Sequence, residues 1–258
     1  MIFSDDLGEP VPAPVLPTAV VSLVPSLTEA VAATVPDILV GATDYCVHPA
    51  DLKVTRIGGS KYPKVDDVLA LKPDLVLANQ EENRAEDVGR LRANGVPVWV
   101  TAAPATVPAA LASLRRLLTQ GLGAREPGWL VAAENAWCTS EPIWTTAIVP
   151  VWRRPWIVLG RETFAGDVLR RLGVANAYAD HEDRYPRPKL TELQQLMTTG
   201  QADLLVLPDE PYAFSRHDGP EMFPQSTTVL LSGRALTWWG PSLVTARAEL
   251  TAALATIR

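Results

Sequence analysis

Short β-branched apolar runs alternate with longer amphipathic stretches, in two separate series along the chain. That alternation leaves few folds besides parallel sheets flanked by helices. In the first series the pattern predicts strands over 19–24, 38–43, 73–78 and 96–100, with helices over 25–34, 65–71 and 84–94. Ser26 followed three residues later by Glu29 has the form of a capping box, and Gly95 stops the third helix. Helical stretches over 107–120 and 126–138 come next, the second with Pro127 at a first-turn position. The second series has strands over 145–151, 203–207 and 227–231 and helices over 163–172, 190–199 and 241–257. Residues 10–17, with prolines at 10, 12, 14 and 17, read as an extended lead-in strand or arm.

The two series resemble each other. Residues 66–78 carry a helix, an Asp, an apolar strand and then the acidic pair Glu81-Glu82; residues 190–207 repeat that plan and lead to Asp209-Glu210. The fold class is α/β, with two Rossmann-like lobes, each holding a mainly parallel sheet. The lobes span 1–122 and 143–258 and are bridged by a helix within 123–142. Ligands of open α/β sheets bind beyond the carboxyl ends of the strands. Two facing lobes of this kind would line a shared cleft, so the strand ends are where chemistry is expected.

Composition narrows the partners. The net charge is −6, and the arginine pairs at 115–116, 153–154 and 170–171 stand alone, so nucleic acid is not an expected partner. Apolar runs stay far below the ~20 residues needed to span a bilayer, so no membrane insertion is expected. Cys46 and Cys138 are too few for a disulfide framework or a four-thiolate zinc site. The first ten residues are acidic and polar, without a basic or apolar leader region. As written this predicts a cytoplasmic protein, or a periplasmic or extracellular one if a leader has been removed.

The loops after the strands hold the candidates. Asp44, Tyr45, Cys46 and His48 follow the second strand; they match no standard zinc spacing, and a turn capped by Asp44 is the competing reading. Gly58-Gly59-Ser60-Lys61 lets a backbone approach a ligand closely but lacks phosphate-loop spacing. Trp152-Arg153-Arg154-Pro155-Trp156 sets two indoles around two guanidiniums. Buried arginines without partners would be costly, so these residues are expected at a ligand, as an aromatic wall with cationic heads for a flat anionic molecule. Tyr212, Phe214 and Arg216, and then Trp238 and Trp239, repeat the combination after two later strands. All 8 tryptophans of the chain but one lie in residues 129–239.

These residues resemble a known family. Val20-Val21-Ser22-Leu23-Val24-Pro25-Ser26-Leu27-Thr28-Glu29, Gly41 to Pro49, Ile57-Gly58-Gly59 and Leu71-Lys72-Pro73-Asp74-Leu75-Val76-Leu77-Ala78 are similar to the helical-backbone metal-receptor superfamily. Its members are the class III solute-binding proteins of ABC importers for cobalamin, haem and ferric siderophores. The resemblance implies two Rossmann-like lobes joined by one long helix, limited hinge motion and a chelate held between the lobes. It also implies a monomer with no intrinsic cofactor, whose metal arrives inside the ligand as a corrinoid, haem or ferric chelate. It places Tyr45 where the cobalamin receptors stack an aromatic, and it puts Ser60 or Lys61 at a second family aromatic position, a departure from the pattern. Glu86 is the nearest match to the carboxylates that the family offers to permease arginines. The stretch between Gly128 and Pro142 is another departure, since about 14 residues make only ~21 Å of helix.

Two functions follow. The first is a non-catalytic receptor, since the chain has only His48, His181 and His217 and shows neither a Gly-x-Ser-x-Gly nor a His-Glu-x-x-His motif. The alternative is a cytoplasmic enzyme, or an accessory or sensor protein of cofactor or metallophore metabolism. In that case His217 or His48 with Asp44 or Glu210 would do acid–base work.

Overall fold

The computed structural model describes residues 1–258. The chain divides into two compact units: residues 1–103, 111–131 and 239–241 in one, residues 104–110, 132–238 and 242–258 in the other. Two of the crossings, at 110–111 and 131–132, fall within helices, and the other three lie in loops.

A small hairpin opens the first unit, with β1 (Phe3–Ser4) antiparallel to β2 (Pro10–Val11). The expected lead-in arm is thus partly folded back on itself. Asp6 holds this hairpin by accepting from Arg116 Nη1 at 3.0 Å. The main sheet follows: β3 (Val20–Ser22), α1 (Pro25–Ala32), β4 (Leu39–Ala42), β5 (Thr55–Arg56), α2 (Val65–Ala70), β6 (Leu75–Asn79), α3 (Ala85–Ala93) and β7 (Val98–Thr101). Its order is β5-β4-β3-β6-β7, and every neighbouring pair is parallel. Full burial of β3 and β6 explains their unbroken apolar runs. The chain builds outward from β3 on one side and resumes with β6 on the other. The switch point, where ligands of such sheets sit, therefore lies between the carboxyl ends of β3 and β6.

Helix α1 begins differently from expectation. Val24 is the N-cap without a side-chain bond, and Pro25 occupies the first turn, where its missing N–H costs nothing. Ser26 is thus already helical and forms no capping box. Its Oγ accepts from the Trp239 amide at 3.3 Å, and a Cβ on Gly240 would fall 3.1 Å from the Ser26 carbonyl. The 239–241 segment is held against α1 in this way.

Helix α4 (Val107–Arg116) continues into a wider turn over Leu117–Gly121, and α5 (Gly128–Ala136) is a helix of 9 residues. In the second unit come β8 (Thr145–Ile148), β9 (Pro150–Trp152), β10 (Ile157–Val158), α6 (Phe164–Arg171), β11 (Val174–Asn176), α7 (Leu190–Thr198), β12 (Leu204–Pro208), β13 (Thr227–Leu231), α8 (Gly233–Thr237) and α9 (Leu243–Ala255). The sheet order β11-β8-β12-β13 is again wholly parallel, with its switch point between β8 and β12.

Three differences from the sequence pattern matter. The strand expected over 145–151 is broken, because Pro150 has no N–H for a ladder; residues 150–152 instead turn out and pair antiparallel with 157–158. Strand β11 is short and only partly apolar, so no periodicity announces it. The helix expected over 241–257 is preceded by the short helix α8, capped by the Ser232 hydroxyl accepting from the Ala235 amide. No helix is long and apolar enough to cross a membrane.

Candidate functional site

At the carboxyl edge of the first sheet, the turn after β4 is pinned from below. Cys46 is buried, and its Sγ lies 3.0 Å from Thr28 Oγ1 and 3.1 Å from Thr43 Oγ1. Arg56 Nη1 donates to the carbonyls of Thr43 and Cys46 at 2.8 and 2.9 Å. Burial pushes the Cys46 thiol up, so it is a packed group rather than a poised thiolate. With Thr43 and Cys46 held inward, Tyr45 is left at the tip, 66% exposed.

The neighbouring turn after β5 supplies a second phenol. Gly58 has φ +84°, a region costly for other residues, and a Cβ on Gly59 would stand 3.4 Å from the Tyr45 ring. Ser60 Oγ lies 3.3 Å from Thr43 Oγ1, and Lys61 Nζ donates to the Glu81 carbonyl at 2.6 Å. Tyr62 is 71% exposed, with the Arg84 guanidinium 4.6 Å from its ring centre.

The loop after β6 ties these turns to the switch point. Asn83 Oδ1 accepts from the Asn79 amide at 2.8 Å, while its Nδ2 donates to the carbonyls of Leu23 and Ser60 at 3.3 and 2.9 Å. Next to it, burial and the adjacent Glu81 push the Glu82 carboxyl up to about 7, against the pull of Lys61.

The carboxyl edge of the second sheet is built on the opposite plan. Trp156 is 9% exposed and belongs to a core cluster with Ile148, Leu205, Leu207, Phe214 and Phe223. It stacks on Phe214 at 6.1 Å and meets Phe223 edge-on at 5.7 Å. Arg153 is 8% exposed and lies between the carboxylates of Asp218 and Glu221, its Nη2 2.5 Å from Glu221 Oε1. That pairing holds the Glu221 carboxyl below the usual range against the opposing effect of burial. The Tyr212 hydroxyl donates to Asp218 Oδ2 at 2.7 Å. Trp152 is 43% exposed and meets Tyr212 edge-on at 5.6 Å.

No group of three or more His, Cys, Asp or Glu side chains stands close enough to hold a metal ion. Asp44 and Tyr45 face outward while Cys46 is enclosed by threonines, so the 44–48 turn does not converge on one point.

Residues 20–123 match the family described as periplasmic binding protein. A vitamin B12-binding protein of Vibrio cholerae is 24% identical over 198 residues, covering 72% of this chain and 69% of that one. The crystal structure of a periplasmic vitamin B12 binding protein of Vibrio cholerae superposes with a TM-score of 0.69 at 18% identity, over 95% of this chain and 99% of the other. The apo periplasmic heme-binding protein of Roseiflexus sp. RS-1 gives a TM-score of 0.73 at 21% identity, over 93% and 98%. The chain shares the fold of these structures, with two parallel α/β units.

Set on that fold, the expected site residues separate into three groups. Tyr45, Trp152, Lys61 and Arg216 reach the surface, and Ser60 and Tyr212 are half-buried. Phe214, Trp156, Trp238 and Trp239 are buried. Trp238 Nε1 donates to Glu210 Oε2 at 3.0 Å, and Trp239 packs in the first unit through Ser26. Arg153 forms the third case. The expectation that it would lack protein partners fails, because Asp218 and Glu221 are folded back onto it from 65 and more residues away. Glu86 is exposed on α3 and paired with Arg84. Sequence reasoning passed over Tyr62, Asn83 and Asp218. Tyr62 carried a usable signal, an aromatic just past the Gly58-Gly59 turn; the other two show their roles only through partners distant in sequence.

Proposed function

We propose that this protein is a solute-binding receptor for a metal chelate or flat conjugated ligand of the corrinoid, haem or ferric-siderophore class. One observation carries the reading: at the carboxyl edge of each sheet aromatic side chains are left exposed, Tyr45 and Tyr62 in one unit and Trp152 in the other, with Tyr212 half-buried beside Trp152. Flat ligands are bound by aromatic walls with a few polar groups at their edges, which is the combination these edges present. The likeness to vitamin B12- and heme-binding proteins supports the class of ligand. In this reading the metal is cargo carried within the ligand. Ser60 and Lys61 line the first wall, Arg216 borders the second, and Glu86 on α3 faces an ABC permease, outside the cytoplasmic membrane as for the periplasmic relatives.

The test is a thermal-shift screen with cyanocobalamin, hemin, ferric siderophores and free iron. A ligand at 100 times its dissociation constant adds ~2.7 kcal/mol of stability, enough for a clear shift. A shift with one chelate and none with free iron is the expected result. Stabilisation by none of the chelates overturns the reading.

A further inference from the structure

We propose that Asp218 is a positioning residue for the aromatic wall of the second unit, setting ligand affinity without touching the ligand. This rests on the reading above, in which Trp152 and Tyr212 face the solute. Trp152 stands on the β9–β10 hairpin, and Tyr212 on the loop that follows β12. Tyr212 rests on Phe214, with ring centres 4.6 Å apart, whereas Trp152, 43% exposed, meets Tyr212 only edge-on, so the ring contacts by themselves hold the indole loosely. Asp218 adds a polar link between the hairpin and Tyr212. One of its oxygens takes the Arg153 guanidinium, the residue next to Trp152, and the other accepts from the Tyr212 hydroxyl at 2.7 Å. A single carboxylate therefore clamps both strips of backbone that carry the wall.

The carboxylate is itself fixed. Its amide and carbonyl form a small bridge with Ser215, and Gly219 follows at φ +121°. A Cβ at 219 would fall 2.9 Å from both Leu207 and Phe214, so the turn that aims Asp218 is packed against the core and admits only glycine without rearrangement. Glu221 is the built-in contrast. It binds the same guanidinium at 2.5 Å, but its other oxygen accepts from the Gly219 amide at 2.6 Å rather than from Tyr212. Both acids offset the buried charge of Arg153; only Asp218 joins the hairpin to the tyrosine.

The experiment uses full-length protein labelled with 5-fluorotryptophan, the Trp152 fluorine line being assigned by Trp152→Phe. Asp218→Asn and Tyr212→Phe are expected to shift or broaden that line while the lines of buried tryptophans stay in place. Both are expected to weaken binding of cyanocobalamin or hemin, whichever the parent takes up, by about tenfold, the scale of one charge-assisted hydrogen bond. Glu221→Gln is expected to move the line less and to weaken binding less than about threefold. An unmoved Trp152 line in Asp218→Asn overturns the proposal, as does a Glu221→Gln variant equally impaired in both readouts. Tyr212→Phe tests the same link without removing charge, which covers the case of an Asp218→Asn protein that does not fold. If the parent binds none of the chelates of the thermal-shift screen, ferric siderophores included, the receptor reading fails, while the fluorine spectrum of the unliganded protein still decides whether Asp218 orients Trp152.

Discussion

The two sheet edges use similar residues to opposite ends. At the first, the turns are fastened by polar groups beneath them, Thr28, Thr43, Arg56 and Asn83, and the phenols of Tyr45 and Tyr62 are left outside. At the second, aromatic side chains themselves do the fastening. Trp156, Phe214 and Phe223 interlock, Arg153 is enclosed by acids, and Trp152 is the indole of its hairpin that stays exposed. An aromatic at a strand's carboxyl end is therefore not by itself a ligand contact. Whether it faces solvent depends on whether some other group already holds the loop in place.

Trp156 and Trp152 give the largest effect that could break this contrast. Trp156→Ala is expected to cost about 3–5 kcal/mol by opening a cavity, measured by chemical denaturation. Trp152→Ala is expected to cost less than about 1 kcal/mol while lowering chelate affinity. Equal stability costs would mean that the two edges do not differ as described. Replacing Arg153 comes next. Arg153→Met leaves Asp218 and Glu221 facing each other without their cation, and about 2–3 kcal/mol of stability should be lost, near the low end for a broken buried pair because both acids are half-exposed. A loss of ligand affinity at unchanged stability would instead make Arg153 a ligand contact.

At the first edge, Tyr45→Ala and Tyr62→Ala should each change stability by less than about 0.5 kcal/mol. Each should weaken cyanocobalamin or hemin binding at least about fivefold in a fluorescence titration, the cost of removing one contact residue. Unchanged affinity in both variants would remove the exposed phenols from the site. The smallest effect concerns Glu82. Its folded-state carboxyl titrates at about 7 against 4.5 for an ordinary Glu. Between those pH values the unfolded chain holds fewer protons than the folded one, so this group makes stability fall as pH rises from about 4.5 to about 7. Glu82→Gln should flatten that fall in pH-dependent denaturation. An unchanged profile would mean that Glu82 is not the group responsible.

Much of the architecture was readable along the chain. Fully buried parallel strands such as β6 and β12 are continuous apolar runs, and glycines after α3 and α6 mark their ends with φ +80°. The elements that escaped are those whose cause is not local. Strand β11 is held by its pairing with β8 rather than by its own composition. Ser26 and Glu29 had the spacing of a cap, yet the cap falls two residues earlier at Val24, with Pro25 in the first turn, and Ser26 is free to bind the Trp239 amide. The Trp152–Trp156 segment was recognisable as unusual, but its division into an exposed wall and a buried anchor was not, because the acids that bury Arg153 arrive from 218 and 221.

The sequence by itself determined the two parallel sheets, their edges and the family likeness, because period, burial and turn chemistry act over a few neighbouring residues. Tertiary structure alone decided which rings and charges those edges present. Arg153 reads as a free cation until Asp218 and Glu221 close on it, and Tyr62 reads as an ordinary loop residue until the turns around it are pinned and its ring is left 71% exposed beside Arg84. Exposure is set by partners distant in the chain, and a side chain cannot signal on its own whether such a partner will arrive.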